Sequence, residues 1–255
     1  MRGLLWTRGL LKARTASRAS AVGNGAATGQ MGDAGLVPAA APASQSLPVT
    51  EMAVPAARTA SLERATNETR VAVDLNIDGR QRIAVATGIG FFDHMLSLFA
   101  FQAGFDLALQ AQGDLHVDQH HTVEDVGLTL GAALCQALGD KRGIARYGFV
   151  LLPMDEALAE VALDLSGRPL AICDLSDRLG REPVGDFDPR LTDHFWRSFV
   201  STAGVTLHVR LRAGEDPHHG LEAVFKAVGR SLRQACARSS TGALSAAVPS
   251  SKGVL

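Results

Sequence analysis

The sequence predicts an α+β fold, a two-layer sandwich built from an internal duplication of a strand–strand–helix–strand–helix unit. Three observations predict it. Period-two apolar runs alternate along the chain with runs of helical period. Short motifs recur at nearly constant spacing: Gly79-Arg80 and Gly167-Arg168 lie 88 residues apart, and Asp93-His94 and Ala103-Gly104 return 100 residues later as Asp193-His194 and Ala203-Gly204. The run Asp118-Gln119-His120-His121-Thr122-Val123-Glu124 comes back after 98 residues as Asp216-Pro217-His218-His219-Gly220-Leu221-Glu222. Two such units give antiparallel strands on one side and helices on the other.

The first sixty residues stand apart. Arg2, Arg8, Lys12, Arg14 and Arg18 are basic, no acid precedes Asp33, and Pro38, Pro42, Pro48 and Pro55 punctuate the rest of the segment. This composition is that of an organelle transit peptide and disordered linker. The expected destination is the plastid ahead of the mitochondrion, or the cytoplasm if the segment carries no address. The folded domain is expected over 61–255, with half-repeats at about 63–145 and 146–240 and a C-terminal substrate-binding tail.

Within it, Val71, Val73, Leu75 and Ile77 alternate as a half-buried strand, and Asp78-Gly79 reads as a hairpin turn into a strand through Ile83 and Val85. A helix comes next, from Phe92 to near Gly104, then a strand through Phe105, Leu107 and Leu109. Asp118 stands where an N-cap is wanted, ahead of a helix whose stripe is Val123, Val126, Leu130, Leu134 and Leu138. The second half repeats the order. Val161, Leu163 and Leu165 precede the turn Ser166-Gly167 and a return strand at Leu170 and Ile172. A helix opens at Asp193, a strand runs from Val205 to Leu211, and Asp216 with Pro217 starts the last helix.

A net charge of −1 gives no electrostatic case for nucleic acid. No apolar run approaches the roughly 20 residues of a membrane helix. Cys135, Cys173 and Cys236 are odd in number and widely spaced, and read as buried thiols of a reducing compartment.

On a helix, residues i and i+4 share a face. His120 with Glu124 and His218 with Glu222 therefore each present an imidazole and a carboxylate together. A single His-His pair is usually a solvated helix end; the same spacing twice points to metal. Each half offers four ligand types: His94, His120, His121 and Glu124, then His194, His218, His219 and Glu222. Imidazoles and carboxylates without thiolates suit Mn²⁺, Fe²⁺ or Zn²⁺. His121 and His219 diverge from their neighbours by about 100°, so each is expected to serve another site, across a subunit boundary.

The halves also differ. Lys226 lies one turn beyond Glu222 where the first half has Leu128. Beside a metal, a cation reads as an anion anchor, although i,i+4 Glu–Lys pairs are also ordinary surface features. Arg146, Arg168 and the tail Pro249-Ser250-Ser251-Lys252-Gly253 are further phosphate candidates. Glu68 opens the first strand and is an acid–base candidate if the fold brings it to the metals.

Taken together, Arg64-Ala65-Thr66-Asn67-Glu68-Thr69, Gly90-Phe91-Phe92-Asp93-His94-Met95-Leu96, the two His-His-x-x-Glu runs and Ser166-Gly167-Arg168-Pro169 resemble the imidazoleglycerol-phosphate dehydratase family. The resemblance covers about residues 62 to 255. It implies a hydro-lyase of histidine biosynthesis that converts imidazole glycerol phosphate to imidazole acetol phosphate. It further implies two manganese ions per subunit, which stabilise an imidazolate form of the substrate, and a homo-oligomeric shell of twenty-four subunits. Carried over by position, His94, His120, His121, Glu124, His194, His218, His219 and Glu222 become metal ligands. Glu68 becomes the proton-transfer group. Glu68, Gln102, Arg146, Arg168, Lys226, Ser250, Ser251 and Lys252 become substrate contacts, joined by His94, His120, Glu124 and His218, with some supplied by neighbouring subunits. The rival expectations are a dimetal hydrolase of a phosphorylated small molecule and a structural or metal-storing shell.

Overall fold

The structure, a computed structural model, describes residues 57–238 and 247–255. The transit-peptide reading therefore falls on residues that lie, up to 56, outside the described ones. The first half runs β1 (Thr59–Ala65), β2 (Thr69–Asn76), β3 (Ile83–Ala86), α1 (Gly90–Ala103), β4 (Asp106–Gly113) and α2 (His120–Leu138). The second runs β5 (Tyr147–Met154), β6 (Ala157–Asp164), β7 (Leu170–Asp174), a short α3 (Ser176–Leu179), α4 (Leu191–Ala203), β8 (Thr206–Ala213) and α5 (Pro217–Cys236). The expected α+β duplication is present, and the register repeats it: Val73 faces Leu109 as Val161 faces Val209.

Three details differ from expectation. Each repeat has an additional first strand, β1 or β5. β1 buries little beyond Ala60, and β5 is apolar on both faces, with Tyr147, Phe149 and Leu151 exposed, so neither announces itself by a clear apolar–polar alternation in sequence. The strands also form two separate four-stranded sheets, ordered β1-β2-β4-β3 and β5-β6-β8-β7, instead of lying on one side. Finally, Asp78-Gly79 and Ser166-Gly167 do not close hairpins: β4 and β8 enter between the strands they join, parallel to β3 and β7. Asp106 braces the first crossover. Its carboxylate accepts the Arg80 and Arg82 backbone N–H groups at 2.7 and 2.9 Å, and the Arg82 guanidinium holds its carboxyl down at about 2. Gly79 passes so close that a Cβ there would lie 2.3 Å from the Asp106 nitrogen.

The apolar stripes are buried as their spacing predicts, Val123 to Leu138 on α2 and Leu221 to Leu232 on α5. The thiols are less uniform: Cys236 is buried, Cys173 half-buried and Cys135 exposed, because Cys135 lies off the stripe by which α2 meets the core. The N-cap position of α2 is Gln119, but Asp118 accepts the His120 N–H at 2.8 Å, the same contact Asp216 makes with His218.

α2 covers the first sheet and α5 the second, while α1 packs on α5 and α4 on α2. Each helix pair thus joins the two halves. Contacts advance together along both pairs, at nearly constant offset: His94 meets Glu222, and Phe99 meets Gly229, so α1 and α5 run parallel. His194 meets Glu124, Phe195 meets Gly127, and Phe199 meets Gly131, so α2 and α4 also run parallel. Both pairs approach backbone to backbone. A Cβ on Gly131 would sit 2.2 Å from the Phe199 carbonyl oxygen, and one on Gly229 2.3 Å from that of Phe99.

Overpacking of a filled core costs on the order of 1–3 kcal/mol, more where backbone must move. Gly131→Ala and Gly229→Ala are each expected to lower the thermal midpoint of the metal-free protein by several degrees in a calorimetric scan.

Candidate metal centres and active site

Because the helix pairs are parallel, their first turns lie side by side, and the histidines there meet across the halves. His94 of α1 comes to His218 and Glu222 of α5, and His194 of α4 comes to His120 and Glu124 of α2. The ligands of each cluster lie within 4.8 Å of one another. The sequence groups the ligand types by half; the structure exchanges His94 and His194 between halves.

In the first cluster, His94 Nε2 and His218 Nε2 stand 2.8 and 3.3 Å from the same oxygen, Oε1 of Glu222. The other oxygen receives Lys226 Nζ at 2.5 Å. Burial opposes charge on Glu222, but Lys226, His94 and His218 outweigh it and hold the carboxyl at about 2. Phe91 closes the apolar side, its ring 5.1 Å from His218 and 6.3 Å from His94. In the second cluster, Glu124 Oε2 lies 3.6 Å from His120 Nε2 and 3.4 Å from His194 Nε2, and the two imidazole centroids are 4.1 Å apart with the rings tilted by 34°. Among the described residues His194 Nε2 is buried without a hydrogen bond, aimed at that carboxylate. An orphaned imidazole nitrogen beside a carboxylate fits a divalent cation.

His121 and His219 belong to neither cluster. His121 Nδ1 is 3.1 Å from Asp114 and 3.8 Å from Glu68, and His219 Nδ1 is 2.8 Å from Glu156. These carboxylates, Asp114 and Glu156 foremost, raise both imidazoles above the ordinary histidine value. A ring tied at Nδ1 presents Nε2 as a ligand. Glu68 therefore lies beside His121, at the metal end but outside both clusters.

The phosphate candidates divide. Lys226 stays at the metal end. Arg146 pairs with both oxygens of Asp164 at 2.7 and 3.0 Å, and donates to the Pro249 carbonyl at 2.8 Å. Arg168 stands 3.6 Å from the same carboxylate, and the Lys252 N–H donates to Ser250 Oγ, so Arg146, Arg168 and the Ser250-Ser251-Lys252 tail share one corner. The Arg146 N–H bonds the Ala235 carbonyl, thirteen residues beyond Glu222 and hence about 20 Å down α5. Gln102 sits in the last turn of α1, about 12 Å along that helix from His94.

Sequence reasoning did not single out Asp114, Asp155 and Glu156, the acids around His121 and His219. Glu156 was available, since it stands 88 residues after Glu68, at the spacing of the glycine–arginine repeat. Asp186 was not. It accepts the Gly90 and Phe91 N–H groups at 2.6 and 2.8 Å and so caps α1 from the other half.

Residues 87–232 match the family model described as imidazoleglycerol-phosphate dehydratase. The chain belongs to the imidazoleglycerol-phosphate dehydratase family. It is 50% identical over 199 residues to an imidazoleglycerol-phosphate dehydratase of Caldicellulosiruptor saccharolyticus, covering 78% of this chain and 99% of that one. It is 52% identical over 200 residues to one of Desulforamulus reducens, covering 78% and 98%. Among solved structures of the family, it resembles imidazoleglycerol-phosphate dehydratase from Staphylococcus aureus with a TM-score of 0.62 at 38% identity, covering 71% of this chain and 99% of that one. It resembles IGPD from Pyrococcus furiosus in complex with (S)-C348 with a TM-score of 0.65 at 34% identity, covering 76% and 100%.

For this dehydratase-family chain, Glu222→Gln is expected to abolish divalent-cation binding at the His94/His218 cluster and leave the His120/His194 cluster intact, read as loss of one class of site in calorimetric titration. A second outcome concerns Glu156. The N–H of Asp216 and the His219 ring hold its carboxyl down at about 2, below its ordinary 4.5. A depressed carboxyl contributes stability above its unfolded value and loses it as pH falls. The stability gap between wild type and Glu156→Gln should therefore shrink between about pH 4.5 and 2, monitored by thermal melts.

Proposed function

We propose that this chain removes water from D-erythro-imidazole glycerol phosphate to give imidazole acetol phosphate, a hydro-lyase step of histidine biosynthesis. The observation that carries this reading is the pair of His/His/Glu clusters inside a chain of this family. In this reading each cluster holds one divalent cation, manganese. When bound, the two cations act as Lewis acids on the substrate's imidazole and favour its deprotonated form.

The protein's own groups do the rest. The C–H to be broken is not acidic, since no carbonyl adjoins it, and the ring must serve as electron sink. Ring electron density expels the hydroxyl on the neighbouring carbon; loss of the C–H proton then gives an enol, which becomes the ketone. Glu68 carries the proton. Lys226 keeps Glu222 charged and offers an anion contact at the metal end. Arg146, Arg168, Ser250, Ser251 and Lys252 hold the phosphate, and Gln102 completes the substrate contacts.

Within one chain the phosphate corner lies about 20 Å from the clusters, much further than this substrate reaches. That separation supports a homo-oligomer whose copies complete one another's sites, the shell of twenty-four. The Nδ1 tie of His121 supports the same reading, since it turns Nε2 toward another copy's cation, and at His219 the Nε2 faces Asp155 at 3.6 Å, an imidazole and a carboxylate together. So does the outer face of the second sheet, where Tyr147, Phe149, Leu151, Leu170 and Ile172 are exposed. For residues 1–60 the proposal keeps an organelle address, plastid ahead of mitochondrion, on their basic, Pro-punctuated composition.

The test is to strip the protein of metal, restore Mn²⁺, add the substrate and monitor mass. Metal-dependent loss of one water without phosphate release is expected. Phosphate release would favour the dimetal hydrolase, and no reaction by an assembled, metal-loaded protein would favour the storage shell. Glu68→Gln should keep metal and assembly but lose turnover by two or more orders of magnitude, about the worth of a positioned proton-transfer group. Chelation should lower the mass seen by light scattering; an unchanged mass would remove metal from assembly.

A further inference from the structure

Glu68 and Glu156 occupy equivalent turns, β1–β2 and β5–β6, but the surroundings differ. Glu156 is fully tied: it accepts the N–H groups of Asp216 and Glu215 at 3.0 and 3.3 Å and faces His219 at 2.8 Å. Glu68 keeps its carboxylate clear, because Asp114 already occupies His121 Nδ1 and Glu68 stands 3.8 Å off.

In the first turn it is the backbone that is fixed. Thr66 Oγ1 accepts the N–H groups of Glu68 and Thr69 at 3.2 and 3.0 Å and lies 3.2 Å from Thr69 Oγ1. Thr69 Oγ1 donates to Asp125, whose other oxygen takes Arg64 Nε at 2.8 Å. Since a carboxylate so placed only accepts, the Thr69 hydroxyl donates to Asp125, and the Thr66 hydroxyl donates to the Thr69 hydroxyl or to its carbonyl oxygen. Both Thr69 and Asp125 are buried.

The second half does without this network. At the same offsets, Arg64, Thr66, Thr69 and Asp125 are replaced by Leu152, Met154, Ala157 and Ala223, and that turn still forms with the same register, Met154 facing Ala157. The fold therefore does not require a buried carboxylate here, and burying one carries a desolvation cost.

We propose that Asp125 and Thr69 are positioning residues for Glu68. Asp125, rooted in α2 next to the metal ligand Glu124, anchors Thr69; Thr69 and Thr66 close the turn; the turn sets the Glu68 carboxylate relative to the metal end. This rests on the reading of Glu68 as the proton-transfer group. A network that locks backbone and leaves one carboxylate without a hydrogen bond among the described residues suits a group that must carry a proton in one place.

The test uses the full-length, Mn²⁺-loaded assembly. Thr69→Val keeps the shape and removes the hydroxyl; Thr69→Ser keeps the hydroxyl. Thr69→Val is expected to lower kcat about 10- to 100-fold, the scale of an ångström of misplacement, with KM within about threefold and Mn²⁺ binding unchanged. Thr69→Ser should restore kcat to within about threefold of wild type. In a Glu68→Gln background Thr69→Val should cost nothing further, because its effect acts through Glu68. Equal losses in both backgrounds would overturn the proposal. So would an active Thr69→Val beside an inactive Glu68→Gln, which leaves the role of Glu68 standing. Near-normal turnover in Glu68→Gln alone would overturn both. If Thr69→Val does not assemble, Thr66→Ala carries the same expectations and the same failures.

Discussion

Two backbone contacts set everything else in this molecule: Gly131 against the Phe199 carbonyl and Gly229 against that of Phe99. They are the same contact made twice, and they hold α2 to α4 and α1 to α5 in parallel, with no room for a side chain between. Parallel packing brings two helix N-termini together at each cluster. That arrangement carries positive potential and disfavours a cation. A carboxylate at each junction offsets it, and the carboxyl of Glu222 is held down at about 2, chiefly by Lys226 and its two histidines against the cost of burial. Glycine spacing, helix polarity and ligand type are thus linked to one another.

On this common frame the two halves share a few motif residues and differ in the side chains around them. Lys226 neutralises one oxygen of Glu222, whereas Leu128 leaves Glu124 to its two histidines. The turn at Glu156 is spent on holding His219; the turn at Glu68 is braced from beneath by Asp125 and left open above. Chemistry needs unequal groups around a substrate that is itself unsymmetrical, and a duplicated scaffold supplies equal positions in which such differences can be placed.

Much of this was legible in the sequence where one element carries the whole signal. The i,i+4 pairs, the apolar stripes of α2 and α5 and the repeat offsets depend only on local periodicity. Which helix meets which does not: His94 stands nearer in sequence to His120, yet it meets His218 because α1 packs on α5. The same limit applies to Asp78-Gly79. A turn signature says that the chain bends, and not that another strand will lie in the gap, where Asp106, 28 residues later, ties that strand to the turn. β5 escaped notice because both of its faces are apolar, and Asp125 because an acid beside Glu124, outside the stripe of α2, reads as a surface charge until its partners are known.

The exchange of His94 and His194 between halves bears on how such a protein arose. A chain of half this length would carry one helix with a lone histidine and one with a His-x-x-x-Glu pair, packed on opposite partners. It could not close a metal cluster by itself; two copies, trading helices, would close two identical ones. Fusing the copies into one chain replaced an encounter between molecules with a fixed local concentration. It also released the two clusters from symmetry, since a substitution in one half no longer appears in both. In this geometry a half-chain closes a cluster only as one of a pair, and the present chain holds that pair covalently.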